Sequence, residues 1–171
     1  MVLDGGLRAW TTNGGVLENG EVGLAATEFV PHERPEVWAD QDRVLAVVRG
    51  EEAATLVNAI CRRPPGVPDE YATAFTHQIP GSLTLPYPDL INEESGTLLS
   101  REELENATSG IPALGRTVIY CGSAIGAATA ALALVSLGRS DVAIYDGSLA
   151  EWLADPDAPT EVKDSESQKK A

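Results

Sequence analysis

The chain has 171 residues, 43% of them hydrophobic and 22% charged, a composition that suits one well-packed domain and excludes wholesale disorder. Twelve basic against 26 acidic residues leave a formal charge of −14, which argues against nucleic acid and anionic membrane surfaces as partners and leaves any anionic substrate to local donors. Cys61 and Cys121 are too few for a disulfide framework, no signal peptide is read, and the longest apolar segment, 124–137, falls short of the ~20 residues of a bilayer span, so a cytoplasmic protein with no membrane span is expected.

The opening Leu3-Asp4-Gly5-Gly6-Leu7-Arg8-Ala9-Trp10 is echoed near the other end by Tyr145-Asp146-Gly147-Ser148-Leu149-Ala150-Glu151-Trp152. The separation is that of a whole domain rather than a solenoid repeat, so residues 1–35 are read as the tail of a preceding copy plus a linker. Residues 11–35 are rich in Gly, Asn and Glu and end in Pro31 and Pro35, with one short extended piece expected at Glu28-Phe29-Val30. The domain proper is expected over 36–162. Asp40 can cap a helix that turns Val44, Leu45, Val47 and Val48 inward, and Ala54 to Ala59 follow as a buried strand. Residues 60–78 hold Pro64, Pro65 and Pro68 without periodicity and are read as a long surface loop. Ile79-Pro80-Gly81-Ser82 turns the chain into a strand at Leu83 to Leu85. Ser100-Arg101-Glu102-Glu103 is a capping box that opens a helix running to about Ala107. A strand at Thr117 to Tyr120, a long helix ended by Gly138, a strand at Val142 to Tyr145 and a helix around Leu149 to Leu153 complete the domain. Residues 163–171 are expected to form a disordered tail. Trp10 and Trp152 are expected to pin their helices to a core, and Trp38 to do the same before its own. Strands with continuous apolar runs that alternate with helices predict an α/β fold, a mainly parallel central sheet with helices on both faces.

The richest stretch is residues 117–138, TVIYCGSAIGAATAALALVSLG. A β-branched run stops at Cys121, passes through a loop of small residues and enters an apolar helix. That places a thiol at a strand's carboxyl end, where ligands of open α/β sheets bind and where the next helix offers unpaired N–H groups and the positive end of its dipole. Small residues there let backbone N–H groups converge into an anion nest with Cys121 at its rim. The competing reading is a structural cysteine, buried as a small hydrophobe.

Cys121-Gly122-Ser123-Ala124-Ile125-Gly126-Ala127 resembles the active-site loop of the rhodanese family, in particular the C-G-S-G-V-T-A form of thiosulfate and mercaptopyruvate sulfurtransferases, and agrees with it at four of seven positions. His77-Gln78-Ile79-Pro80-Gly81-Ser82 is similar to the family's G-H-I-P-G-A turn, and residues 145–152 to its Y-D-G-S-W-x-E-W ending. The resemblance covers residues 36–162 and implies the rhodanese-like fold, as the C-terminal domain of a two-domain member. It also implies sulfur transfer: a small donor, thiosulfate or 3-mercaptopyruvate, gives its outer sulfur to Cys121, and the resulting persulfide passes it to cyanide or a thiol. Cys121 is then the nucleophile, with Gly122, Ser123, Ala124, Ile125, Gly126 and Ala127 surrounding the outer sulfur, and Arg62 and Arg63 standing where substrate-binding arginines would.

The loop departs from the family at Ala124, usually Gly, and at Gly126, often Thr; a positive φ at Ala124 would cost on the order of 1 kcal/mol. Asn58-Ala59-Ile60 replaces the common D-A-R, and Gln78 the usual His. These changes keep an alternative in view, a catalytically weak rhodanese-like module used for interaction. A cysteine phosphatase is disfavoured, because Ala127 stands where H-C-x5-R chemistry needs its arginine. Cys61, beside Arg62 and Arg63, is read as a loop residue or a resolving thiol. His32 and His77 have no metal-ligand spacing, and no metal or cofactor is expected. If a preceding copy normally walls the site, this chain either leaves its pocket open or covers it with a second subunit as a homo-oligomer.

Overall fold

The computed structural model describes residues 2–21, 23, 25–68 and 72–163. Five strands, β1 (Trp38–Ala39), β2 (Thr55–Asn58), β4 (Leu83–Thr84), β5 (Thr117–Tyr120) and β6 (Val142–Tyr145), form one sheet in the order β1-β6-β5-β2-β4. Every pairing in it is parallel, with Asn58 level with Tyr120 and Ile119 with Ile144. A parallel sheet needs crossovers, and the chain supplies them as α2 (Gln41–Val48), α4 (Arg101–Ala107) and α5 (Ile125–Ser136). The fold class is the expected α/β. A two-stranded antiparallel ribbon, β3 (His77–Gln78) with β7 (Glu161–Val162), lies beside it.

Local chemistry explains the element ends. The Asp40 carboxylate accepts the Arg43 N–H at 2.9 Å at the start of α2, and the capping box at Ser100 and Glu103 is complete at the start of α4. Gly138, at φ 94°, ends α5, where only a residue free of Cβ turns the chain at no steric cost. The core runs through β5 and β6 into α5 and α6 (Ser148–Trp152); Tyr120, Tyr145, Leu134, Leu149 and Trp152 are all fully buried in it.

Several expectations change. The loop expected over 60–78 holds a short helix, α3 (Ala72–Thr76), and then β3, because the ribbon with β7 recruits His77 and Gln78. No strand forms at 28–30. Trp152 pins its helix, its Nε1 donating to the Pro159 carbonyl at 2.8 Å and its ring meeting Tyr145 edge-on at 6.3 Å. Trp10 and Trp38 do not, at 47% and 51% exposure. Trp38 sits on the outward position of an edge strand whose inward position is Ala39, and Trp10 rides on α1 (Gly6–Thr12), which buries no residue at all and folds its indole N–H onto the Val16 carbonyl. Lys163 belongs to the folded body rather than to a tail: it is 9% exposed and its N–H donates to the Thr76 carbonyl at 2.8 Å. The rest of the expected tail, 164–171, lies outside the described residues.

Candidate functional site

Cys121 follows β5 directly, so the sheet fixes its backbone. The Ala59 N–H reaches the Tyr120 carbonyl at 2.7 Å on one side, and the N–H of Leu149, in the first turn of α6, donates to the Cys121 carbonyl at 3.0 Å on the other. The next N–H of α6, from Ala150, takes the Gly122 carbonyl at 3.0 Å. α6 thus holds the first two residues of the loop by their oxygens.

The side chain that completes the brace is Ser148. Its hydroxyl accepts the N–H groups of Cys121 at 3.2 Å and Ala124 at 3.1 Å while donating to the Tyr145 carbonyl at 2.9 Å. Ser148 is fully buried and held at φ 51°, a left-handed conformation that costs a non-glycine residue about 1–2 kcal/mol. Sequence reasoning did not single Ser148 out as a site residue; its signal was the Asp146-Gly147-Ser148 stretch, quoted above only for the internal echo and the family resemblance.

The loop's own shape follows. Ala124 has φ 64°, so the left-handed turn that usually takes glycine is made by alanine. The Ile125 N–H closes onto the Ser123 carbonyl at 2.9 Å and the Ala124 N–H is taken by Ser148, so neither is free for a ligand. The N–H groups of Gly122, Ser123, Gly126 and Ala127 have no acceptor among the described residues. Gly126 is needed for a second reason: a Cβ there would lie 2.5 Å from Cδ1 of Tyr87, whose ring fills the space beside the start of α5.

Cys121 itself is 5% exposed and packs with the core, deeper than the rim position expected for it. Gly122 and Ser123 instead line the adjoining cavity, about 880 Å³, whose other walls include Ile60, Phe75, Leu149 and Leu153. Arg62 and Arg63 do not line it. They face a neighbouring cavity of about 360 Å³ together with Cys61, Thr84 and Lys163, with Ile60 and Phe75 forming a wall common to both. Arg62 grips the Asp89 carboxylate with two N–H groups at 3.0 and 3.3 Å, and Arg63 donates to the Val67 carbonyl at 2.6 Å.

Under the loop the polar groups are neutral. Asn58, fully buried, accepts the Ile60 N–H at 3.1 Å, and its amide nitrogen has no partner. The Tyr120 hydroxyl accepts the Ile79 N–H at 3.0 Å and donates to Ser82 Oγ at 2.8 Å; burial pushes this phenol's pKa well above the usual range. Gln78 donates to Glu161 at 2.6 Å. No group of His, Cys, Asp and Glu able to hold a metal occurs among the described residues, and none of their helices is long and apolar enough to cross a membrane.

The chain is 33% identical over 162 residues to the SseB protein of Mycobacterium tuberculosis, a match covering 92% of this chain and 56% of that protein. It is 32% identical over 164 residues to the 3-mercaptopyruvate sulfurtransferase of Escherichia coli K12, covering 94% of this chain and 57% of the relative. Among solved structures, EanB bearing a cysteine persulfide with ergothioneine superposes at a TM-score of 0.77 and 25% identity, over 94% of this chain and 41% of EanB. The chain therefore spans little more than half the length of the curated relatives it matches. The rhodanese-like domain model matches residues 61–155, more than half the chain and all of the Cys121 loop, its Ser148 brace and the strands that carry them: the chain belongs to the rhodanese-like domain family.

Proposed function

We propose that the chain is a sulfurtransferase domain in which Cys121 carries the sulfur. Cys121 as thiolate attacks the outer sulfur of a small anionic donor, thiosulfate or 3-mercaptopyruvate. The donor's S–S or C–S bond breaks, sulfite or the enolate of pyruvate leaves with the bonding electrons, and Cys121 becomes a persulfide. A cyanide ion or thiolate then attacks the outer sulfur and expels the Cys121 thiolate, which closes a ping-pong cycle.

What carries this reading is one geometric fact: the loop after Cys121 is braced from behind by Ser148, and the N–H groups of Gly122, Ser123, Gly126 and Ala127 have no acceptor among the described residues beside the start of a twelve-residue helix. Oriented donors of this kind stabilise a negative sulfur without reorganising. Ala124 and Ile125 shape the loop rather than donate. Arg62 and Arg63 act on an approaching anion by charge from the far side of Ile60. A reducing, cytoplasmic setting suits two free thiols.

We further infer that 1–35 closes a preceding domain and that 36–162 is the domain in hand. Supporting this, α1 and α6 both start after Asp-Gly on a residue of nearly equal positive φ, 53° at Gly6 and 51° at Ser148. A preceding copy, or a second subunit in a homo-oligomer, would cover the open cavity beside the loop.

The deep burial of Cys121 favours a second reading, a catalytically weak interaction module. One assay separates the two. The chain incubated with thiosulfate or 3-mercaptopyruvate should gain the mass of one sulfur and form thiocyanate from cyanide, and Cys121→Ser should do neither. Absence of any Cys121-dependent sulfur uptake from both donors overturns the sulfurtransferase.

A further inference from the structure

The 360 Å³ cavity on the far side of Ile60 contains a second thiol with its own cation. Cys61 is half-buried in its wall, and Lys163, only 9% exposed, lines the same space. The Lys163 ammonium has no hydrogen-bond or ion-pair partner among the described residues, which is costly for a charge at that depth. Burial accordingly lowers its pKa to about 8, and the charge of Cys61 is what opposes the fall. Arg62 and Arg63 add two guanidinium groups to the wall, Arg62 gripping Asp89 and Arg63 the Val67 carbonyl, and no Asp or Glu lines it among the described residues. In a chain of net charge −14, this is a local reversal of sign. Phe75 and Ile60 give the cavity an apolar side, and its volume lies in the range that takes small molecules.

A buried ammonium with no partner among the described residues, lining the same cavity as a thiol and facing an apolar wall, points to a nucleophilic cysteine that recognises an anion. We propose that Cys61 and Lys163 form a second reactive-thiol centre that takes small anionic disulfides, those of carboxylate-bearing thiols. The Cys61 thiol gives its proton to water, and the Lys163 ammonium stabilises the thiolate that remains. The Cys61 thiolate attacks one sulfur of the disulfide, and a mixed disulfide forms at Cys61. The S–S bond of the reagent breaks, and the departing thiolate leaves with the bonding electrons and takes its proton from water. No net oxidation occurs beyond the exchange, because the incoming disulfide supplies the oxidising equivalent. The centre rests on Cys61 and Lys163 and does not require Cys121 to transfer sulfur.

The test uses the full chain carrying Cys121→Ser, so that Cys61 is the one remaining thiol and failure of the sulfur-transfer reading cannot mask the result. The probes are dithiodiglycolate, an anionic disulfide, and cystamine, a cationic one of similar size, with adducts followed by intact mass and each rate divided by that of the same chain unfolded in guanidinium. The expected result is a mixed disulfide at Cys61 and an anion-over-cation preference of about tenfold or more in the folded chain, of the size that local focusing of charge produces. Lys163→Met should lower the preference several-fold, and Lys163→Arg should retain most of it. If Lys163→Met does not fold, the folded-to-unfolded ratio in the parent chain decides. A folded Cys61 that does not react, that prefers cystamine, or whose preference is undiminished by Lys163→Met would overturn the proposal.

Discussion

Ser148→Ala is the most direct challenge to the geometry of the Cys121 loop. The substitution deletes one oxygen that accepts two N–H groups and donates to one carbonyl, while alanine keeps the side chain's β-carbon and the strained φ of 51°. The Cys121 N–H, enclosed in the core, is left without an acceptor at about 1–3 kcal/mol. The Ala124 N–H is half-exposed and turns to water at lower cost, and the Tyr145 carbonyl loses its donor. Together these give about 2–4 kcal/mol, which in a domain of this size lowers the melting temperature by roughly 5–15 °C. Sulfur uptake should fall further than stability does, because the free N–H groups of Gly122, Ser123, Gly126 and Ala127 keep their aim only while the loop is braced; losing one preorganised donor elsewhere costs about 10²-fold or more in rate. Calorimetry and sulfur uptake on the same preparation measure both. A melting temperature within about 2 °C of the parent together with undiminished uptake would refute the brace.

Three further substitutions probe the neighbouring residues. Ala124→Gly removes the left-handed strain of about 1–2 kcal/mol but frees the unfolded chain by about 0.4–1, so a small net gain in stability by chemical denaturation is expected, and a clear loss would show that the Ala124 methyl packs. Gly126→Ala drives a Cβ against Tyr87 and should cost about 1–3 kcal/mol, much of it recovered alongside Tyr87→Leu; strictly additive penalties in that double-mutant cycle would refute the interlock. For Lys163 the folded pKa of about 8 lies below the ordinary 10.5, so between those values the unfolded chain binds more protons and stability rises with pH. Lys163→Met should therefore be more stable than the parent near pH 7, with the advantage shrinking from pH 8 to 10.5; a pH-independent difference in guanidinium melts would show that the amine is not held in a low-dielectric site.

What could be read from the sequence is what local chemistry dictates. Asp40, Ser100 with Glu103, and Gly138 each carry a signal that acts within one turn of the chain, and each marks the boundary it was expected to mark. The continuous apolar runs at Thr117 to Tyr120 and Val142 to Tyr145 are likewise central parallel strands. What could not be read depends on partners distant in sequence. The ribbon at His77 and Gln78 exists because Glu161 and Val162 come to lie beside it, and Trp38 is exposed because its strand proved to be an edge. In the candidate site, the cysteine and its loop were legible from spacing. The division of that loop into shaping and unpartnered N–H groups was not, because one buried hydroxyl from α6 decides it.

The departures from the family pattern form one consistent change in electrostatics. Where the common motif places a carboxylate and an arginine after β2, Asn58 and Ile60 leave the floor of the site neutral, with Tyr120, Ser82 and Gln78 continuing a chain of uncharged donors and acceptors that ends at Glu161. The cations Arg62, Arg63 and Lys163 stand behind Ile60. In the proposed sulfurtransferase an anion meeting Cys121 would be held by backbone dipoles and the helix start, whose field fades within a turn, and not by a facing guanidinium. That arrangement favours a charge compact enough to sit within the loop, such as a single sulfur, over an extended anion that needs bidentate support. Binding there should depend less on ionic strength than binding at the cationic cavity next door, because neutral N–H dipoles act over a shorter range than the full charges of Arg62, Arg63 and Lys163.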